Sequence, residues 1–286
     1  MEIAVTTAFS HHTPVEFIAG AAKRIEAAGF AAVWVPEHVL FFPDYASSYP
    51  YADDGKVPGN PEGVLDPFTA LTFIAAHTTT LRLGTGICLV PQRQPVYTAK
   101  MVADLDYLSN GRVDFGIGVG WLAEEFDALG LDFAARAERC DEYIAAMKEL
   151  WGPDPVNFSG DTVTINNAQF NPKPVQSPHP PIFVGGESTP ALRRVATFAD
   201  GWYGYGVAPD EVAAKLDRLD GHLEAAGRSL SEIKIYICPN RLQVDQDITA
   251  AYAEAGVKQL ILPLYGRDLD HLDRRIETLQ HAVGMS

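Results

Sequence analysis

The chain has 286 residues, of which 47% are hydrophobic and 21% charged. These are ordinary globular values, and the length suffices for a large core without staples. Its net charge of -15, with no run among its 22 basic residues, excludes nucleic acid or an anionic membrane as main partner, because both need a basic patch. Three separated cysteines, Cys88, Cys140 and Cys238, show no CxxC spacing. They suggest neither a disulfide frame nor a metal cage, and they point to a reduced, cytoplasmic setting. The start, MEIAVTTAF, carries an acid at position 2 and no basic region, so no secretory signal is expected. No apolar stretch approaches the 18 or so residues of a membrane span.

Short apolar runs alternate with longer amphipathic segments. Ile3–Thr6 is the first predicted strand, and a helix follows from about Pro14 to Ala28, closed by Gly29. The second strand is Ala31–Pro36. A stretch rich in Pro, Gly, Asp and Tyr runs from Phe41 to Leu65, long enough to read as a lid or as disorder. Asp66-Pro67 opens the next helix, with Asp66 as N-cap. The third strand is Leu81–Val90, then a helix Pro95–Ser109 ended by Asn110-Gly111. The fourth strand is Val113–Val119, with helices at Ala123–Ala128 and Ala134–Trp151. The segment Gly152–Pro180 is proline-rich, with a small hairpin expected from Val156–Phe158 and Thr162–Ile165. Strands five to eight are Ile182–Val184, Gly201–Tyr205, Ile233–Cys238 and Gln259–Leu264. Their helices are Thr189–Phe198, Pro209–Ala226, Ile248–Ala255 and Leu269–Val283. Eight β-then-α units of near-continuously apolar strands predict an α/β chain, a (β/α)₈ TIM barrel over residues 1–286 as one domain, with insertions after strand two and before strand five.

In such a barrel the functional groups lie at the C-terminal strand ends and in the loops after them. That rule selects Thr6-Thr7, Glu37-His38, Gly84 through Cys88, Gly116 through Trp121, Gly185 through Ser188, and Trp202 through Tyr205. His38 is the acid/base candidate, since imidazole titrates near neutrality; a packing histidine is the bland alternative. Glu37 reads as a second acid or as a rim charge. The run Gly116-x-Gly118-x-Gly120 fails the dinucleotide fingerprint, so its glycines allow close approach of a ring or relieve crowding. Gly185-Gly186 leads into a helix start, where free N–H groups and the dipole favour an anion. A plain turn with a Ser188 N-cap is the simpler reading. Trp121, Trp202, Tyr203 and Tyr205 are candidate pocket walls. His11-His12 is treated as a loop feature, and no metal site is expected.

Several segments, in order, carry a resemblance. They are AAGFAAVWVPEHV (27–39), DPFTALTFIAAHTTTLRLGTGICLVPQRQPVYTAKMVADLDYLSNGR (66–112), VDFGIGVGWLAEEFDALG (113–130), RAERCDEYIAAMKELW (136–151), PPIFVGG (180–186) and FADGWYGYG (198–206). Together they resemble the bacterial-luciferase-like superfamily of flavin- and deazaflavin-dependent oxidoreductases. The resemblance implies a cofactor at the strand C-termini, held by Thr7, Gly86, Ile87, Cys88, Gly118, Gly120, Trp121, Gly185, Gly186 and Ser188. It also implies a non-prolyl cis peptide near Gly86-Ile87-Cys88, with Gly185, Gly186 and Ser188 at the cofactor phosphate. The chain looks most like the group that uses coenzyme F420, in which His38 would act beside the ring on a small-molecule substrate. The alternatives are an FMN-dependent two-component monooxygenase fed by a separate reductase, and a non-catalytic flavin-binding protein. A homodimer is expected by the same analogy. Two positions depart from the F420-dependent alcohol and sugar-phosphate dehydrogenases: Phe42 stands where they carry Trp, and Trp121 where they carry Glu.

Overall fold

The computed structural model describes residues 1–59 and 61–285. In chain order its elements are β1 (Glu2–Thr6), α1 (Val15–Ala27), β2 (Ala32–Val35), α2 (Pro67–Ala75), β3 (Arg82–Thr85), β4 (Cys88–Leu89), α3 (Pro95–Leu108), β5 (Val113–Gly118), α4 (Ala123–Ala128) and α5 (Arg136–Trp151). Then come β6 (Val156–Ser159), β7 (Thr164–Ala168), β8 (Ile182–Gly185), α6 (Thr189–Phe198), β9 (Gly201–Tyr205), α7 (Pro209–Ala225), β10 (Lys234–Cys238), α8 (Gln246–Glu254), β11 (Gln259–Pro263) and α9 (Leu269–Val283). β1, β2, β3, β5, β8, β9, β10 and β11 pair in parallel in that order. β11 returns to β1, with Ile3 opposite Leu260, and closes the (β/α)₈ barrel.

The expected third strand, Leu81–Val90, is interrupted. A cis peptide joins Gly86 to Ile87, where the resemblance implies one. The chain resumes as β4, which pairs with β5 alone, Cys88 opposite Ile117. The antiparallel hairpin β6–β7 lies apart from the barrel sheet, a few residues longer than expected. Its register is irregular between Val156 and Phe158. The helix starts follow their capping residues: the Asp66 carboxylate accepts from Thr69 N–H (2.9 Å), and Ser188 Oγ from Ala191 N–H (3.3 Å). Among the described residues no helix is long and apolar enough to cross a membrane.

Two cores result from the alternation of side chains along each strand. Outward residues such as Val33, Leu83, Val113 and Trp202 pack under the helices. Inward residues, chiefly Trp34, Phe183, Tyr203 and Tyr236, fill the barrel. Phe183 stacks on Tyr236 with centroids 4.3 Å apart. Trp34 is fully buried, and its indole N–H donates to Gln259 Oε1 (2.9 Å), satisfying the polar end of a large apolar group. Below them Arg82 and Asp114 form a two-point ion pair, at 2.8 and 2.5 Å.

Trp34 dictates its neighbours. A Cβ at Gly84 would sit 2.2 Å from the indole, and one at Gly116 would sit 2.1 Å from the Thr85 carbonyl oxygen. At these two positions glycine relieves crowding. Gly84→Ala is expected to destabilise by about 1–3 kcal/mol, as overpacking of a filled core does. Chemical denaturation with an unchanged midpoint and slope contradicts this account of the interior.

Candidate active site

A cavity of about 770 Å³ opens at the C-terminal ends of the strands. It lies between the barrel mouth and the long segment after β2. Of the residues singled out in sequence, His38, Gly86, Ile87, Gly118, Gly120, Trp121, Gly185, Gly186 and Ser188 line it. Thr7 and Cys88 do not. Thr7 is buried with its N–H bonded to the Trp34 carbonyl (3.0 Å), while Thr6 and Ala8 face the cavity. Cys88 is fully buried in the outer core. Burial and the neighbouring Glu37 push its thiol pKa well up. Ile87, one position earlier, occupies the wall. The same alternation corrects Trp202: it points outward into the core under the helices, and its indole N–H holds the Gly186 carbonyl (3.0 Å). Tyr203 and Tyr205, on either side of it, reach the cavity.

His38 is 14% exposed, and its Nδ1 lies 3.2 Å from Oε2 of a fully buried Glu125. Glu125 comes from α4. Its Oε1 accepts from the backbone N–H groups of Val39 (2.6 Å) and Leu40 (3.0 Å), and its Oε2 also accepts from Gln92 Nε2 (2.9 Å). Burial opposes ionisation of Glu125, but the His38, Leu40 and Gln92 hydrogen bonds outweigh it and hold the carboxyl below the usual range. An ionised carboxylate only accepts. Nδ1 of His38 therefore carries a proton, and in the neutral ring Nε2 presents its lone pair. Sequence reasoning missed Glu125. Its signal was the acid pair in Leu122-Ala123-Glu124-Glu125, placed just after a strand end.

Glu37 has a different task. Its Oε2 accepts from Leu89 N–H (2.6 Å) and its Oε1 from Arg93 Nε (2.5 Å). Arg93 also pairs with Asp66, the cap of α2. With both oxygens engaged and its side chain buried, Glu37 ties the connection after β2 to β4 and to the connection after it.

The segment after β2 closes the cavity with aromatic rings. Tyr45 and Tyr49 meet Trp121 edge-on, at 5.6 and 5.2 Å between centroids. Tyr51 meets Tyr205 at 4.7 Å. Trp121 also stands 5.8 Å from the His38 ring. Glu124 anchors the segment by accepting from the N–H groups of Ala46 (2.5 Å) and Ser47 (3.1 Å), and Ser47 Oγ accepts from Ala123 N–H (3.0 Å).

The glycine runs shape a ledge and a turn. A Cβ at Gly118 would lie 2.1 Å from Ile87 Cδ1, and one at Gly185 would lie 3.0 Å from the same atom. The Ile87 side chain thus sits between two glycines and projects into the cavity wall. Gly186 has φ +104° and turns the chain into α6, whose first N–H groups have no intrahelical acceptor. Ser188 Oγ is occupied by its capping bond. Arg194 lines the cavity close by, paired with Asp141 at 2.6 Å. An apolar ledge beside a helix start and a guanidinium fits a flat ring system with an anionic arm.

Known proteins are similar to the chain in sequence and in fold. An uncharacterized protein of Mycobacterium tuberculosis (strain H37Rv) is 31% identical over 269 residues, 91% of this chain and 92% of the relative. An FMNH2-dependent dimethylsulfone monooxygenase of Pseudomonas putida is 32% identical over 139 residues, 48% of this chain and 38% of that protein. The coenzyme F420-dependent tetrahydromethanopterin reductase of Methanopyrus kandleri superposes with a TM-score of 0.75 at 19% identity, covering 99% of both chains, and so shares the fold. Residues 1–282 match the model of the luciferase-like monooxygenases, and with its closed barrel the chain belongs to that family of oxidoreductases.

Proposed function

We propose that the protein is an oxidoreductase that moves a hydride between coenzyme F420 and a small organic substrate. The observation that carries the reading is the His38–Glu125 pair, which engages Nδ1 and leaves Nε2 of an imidazole that lines the cavity. When bound, a deazaflavin supplies or accepts the hydride. Ile87 would support its ring system, and Gly186, Ser188 and Arg194 would hold its anionic arm. His38 Nε2 takes or returns the proton at the substrate atom that changes oxidation state, and Glu125 fixes the tautomer and stabilises the imidazolium that forms. Trp121, Tyr49 and Tyr51 exclude water from that atom. A second reading, oxygen insertion with reduced FMN, is favoured by the identity shared with the dimethylsulfone monooxygenase.

Titration of the purified protein with F420 and with FMN separates the two. Binding of F420 in the micromolar range supports the first reading; micromolar FMN binding with none of F420 overturns it. His38→Ala is expected to leave cofactor affinity unchanged and to lower turnover by about 10²–10⁴. An unaltered turnover number removes His38 from the proton step.

The closure of the cavity has its own pH signature. Burial opposes ionisation of Glu124, but the Ser47 hydroxyl and the Ser47 and Ala46 N–H groups lower its pKa from 4.5 to about 2. A depressed folded value means the anchoring is complete above about 4.5 and is lost as the pH falls through about 2. Near-UV circular dichroism of the Tyr45–Tyr49–Trp121 group is expected to change over that window. In Glu124→Gln the altered signal is expected already at neutral pH; a wild-type signal there contradicts the anchor.

A further inference from the structure

Outside the His38–Glu125 pair, the turn before α1 brings together two imidazoles and a carboxylate. His11 and His12 are consecutive in the sequence. Their rings lie 3.7 Å apart between centroids, and both Nε2 atoms face one oxygen of Glu62, at 3.6 and 3.2 Å. All three ligand atoms lie within 4.8 Å of one another. Glu62 stands fifty residues on, near the end of the segment that covers the cavity. From these observations we infer a solvent-facing site for a transition-metal dication of the zinc class, with His11, His12 and Glu62 as ligands.

The spacing suits the ion. Two ligands about 2.0–2.1 Å from a tetrahedral zinc are about 3.3 Å apart, and the His11–Glu62 and His12–Glu62 separations bracket that value. The donor set suits it as well, since imidazole with carboxylate selects borderline first-row dications over Mg²⁺ or Ca²⁺, which take oxygen ligands. Both rings turn Nε2 to the same carboxylate oxygen, a convergence of three ligand atoms that a shared cation stabilises. Among the described residues no Lys or Arg pairs with Glu62.

The arrangement is held by bonds that need no metal. Ser10 N–H donates to Thr13 Oγ1 (3.0 Å), Thr13 N–H to the Ser10 carbonyl (3.0 Å), and His12 N–H to Ser10 Oγ (3.2 Å). Leu65 N–H donates to the Phe9 carbonyl (2.8 Å), so the two segments are joined beside the three ligands. The side chains of His11, His12 and Glu62 are 59%, 72% and 72% exposed, which leaves the remaining coordination position to water. An ion here staples the end of the covering segment to the turn after β1.

The test is a Zn²⁺ titration of full-length protein without an affinity tag, in competition with a chromogenic chelator. One equivalent bound with micromolar affinity is expected, undisturbed by millimolar Mg²⁺. Glu62→Gln and the double variant His11→Ala, His12→Ala are each expected to weaken that affinity by about tenfold or more, as loss of a ligand does. Their metal-free unfolding midpoints are expected to stay at the wild-type value, because the side chains are exposed. Zinc affinity equal to wild type in both variants, or no competition with the chelator, overturns the site.

Discussion

The buried carboxylate of Glu125 is the interaction on which the rest of the candidate site depends. A charged group out of contact with water is tolerated only when its lone pairs are filled. Glu125 fills them with four donors: His38 Nδ1, the N–H groups of Val39 and Leu40, and Gln92 Nε2. These donors come from the connection after β2 and the connection after β4, while the carboxylate itself comes from the helix after β5. One charge therefore sets the imidazole orientation, the departure angle of the covering segment and the seat of α4. None of the three can shift alone without leaving a buried group unpaired. Such coupling is how a site on loops acquires the rigidity that proton transfer needs.

A second constraint rises from below. The barrel is too narrow to hold Trp34, Phe183, Tyr203 and Tyr236 together unless the adjoining strands give up side chains. Glycine at 84 and 116 is the result. The plug they form raises the floor of the cavity to the level of Tyr203 and the Gly86–Ile87 bond. Ile87 then projects between Gly118 and Gly185. The glycine runs thus serve the protein's own packing first, and the ledge offered to a ligand is what that packing produces.

Much of this was legible in the sequence, for reasons that can be named. The barrel followed from strict alternation of elements, and helix starts at Asp66 and Ser188 from capping chemistry that acts over three residues. His38 stood out because its residue type and its place after a strand coincide. Cys88 and Trp202 lie one position from Ile87 and Tyr203, which line the cavity, and along a strand one step turns a side chain to the opposite face. The break after β3 did not show in the strand pattern over Leu81–Val90; only the resemblance, with its cis peptide near Gly86-Ile87-Cys88, pointed to it. Glu125 was out of reach for a different reason: its partner lies 87 residues away, and no local spacing records a pairing made by the closed barrel. The same holds for His11 and His12, whose carboxylate comes from fifty residues on.

The two departures from the F420-dependent alcohol and sugar-phosphate dehydrogenases gain a physical meaning from the structure. Where the resemblance leads one to expect a carboxylate after the fourth strand, Trp121 closes an aromatic group with Tyr45, Tyr49 and His38. A carboxylate exists four residues later, one helical turn on, but it is buried behind the imidazole and has no oxygen left for a substrate. Of the acids that line the cavity, Glu37 is consumed by Arg93 and Leu89, and Glu187 accepts from the Tyr205 N–H (2.7 Å). On the proposed reading the proton is therefore handled by one side chain, His38, with its charge balanced from behind rather than from across the cavity. Chemistry that needs a single proton acceptor beside an aromatic enclosure is what this arrangement serves.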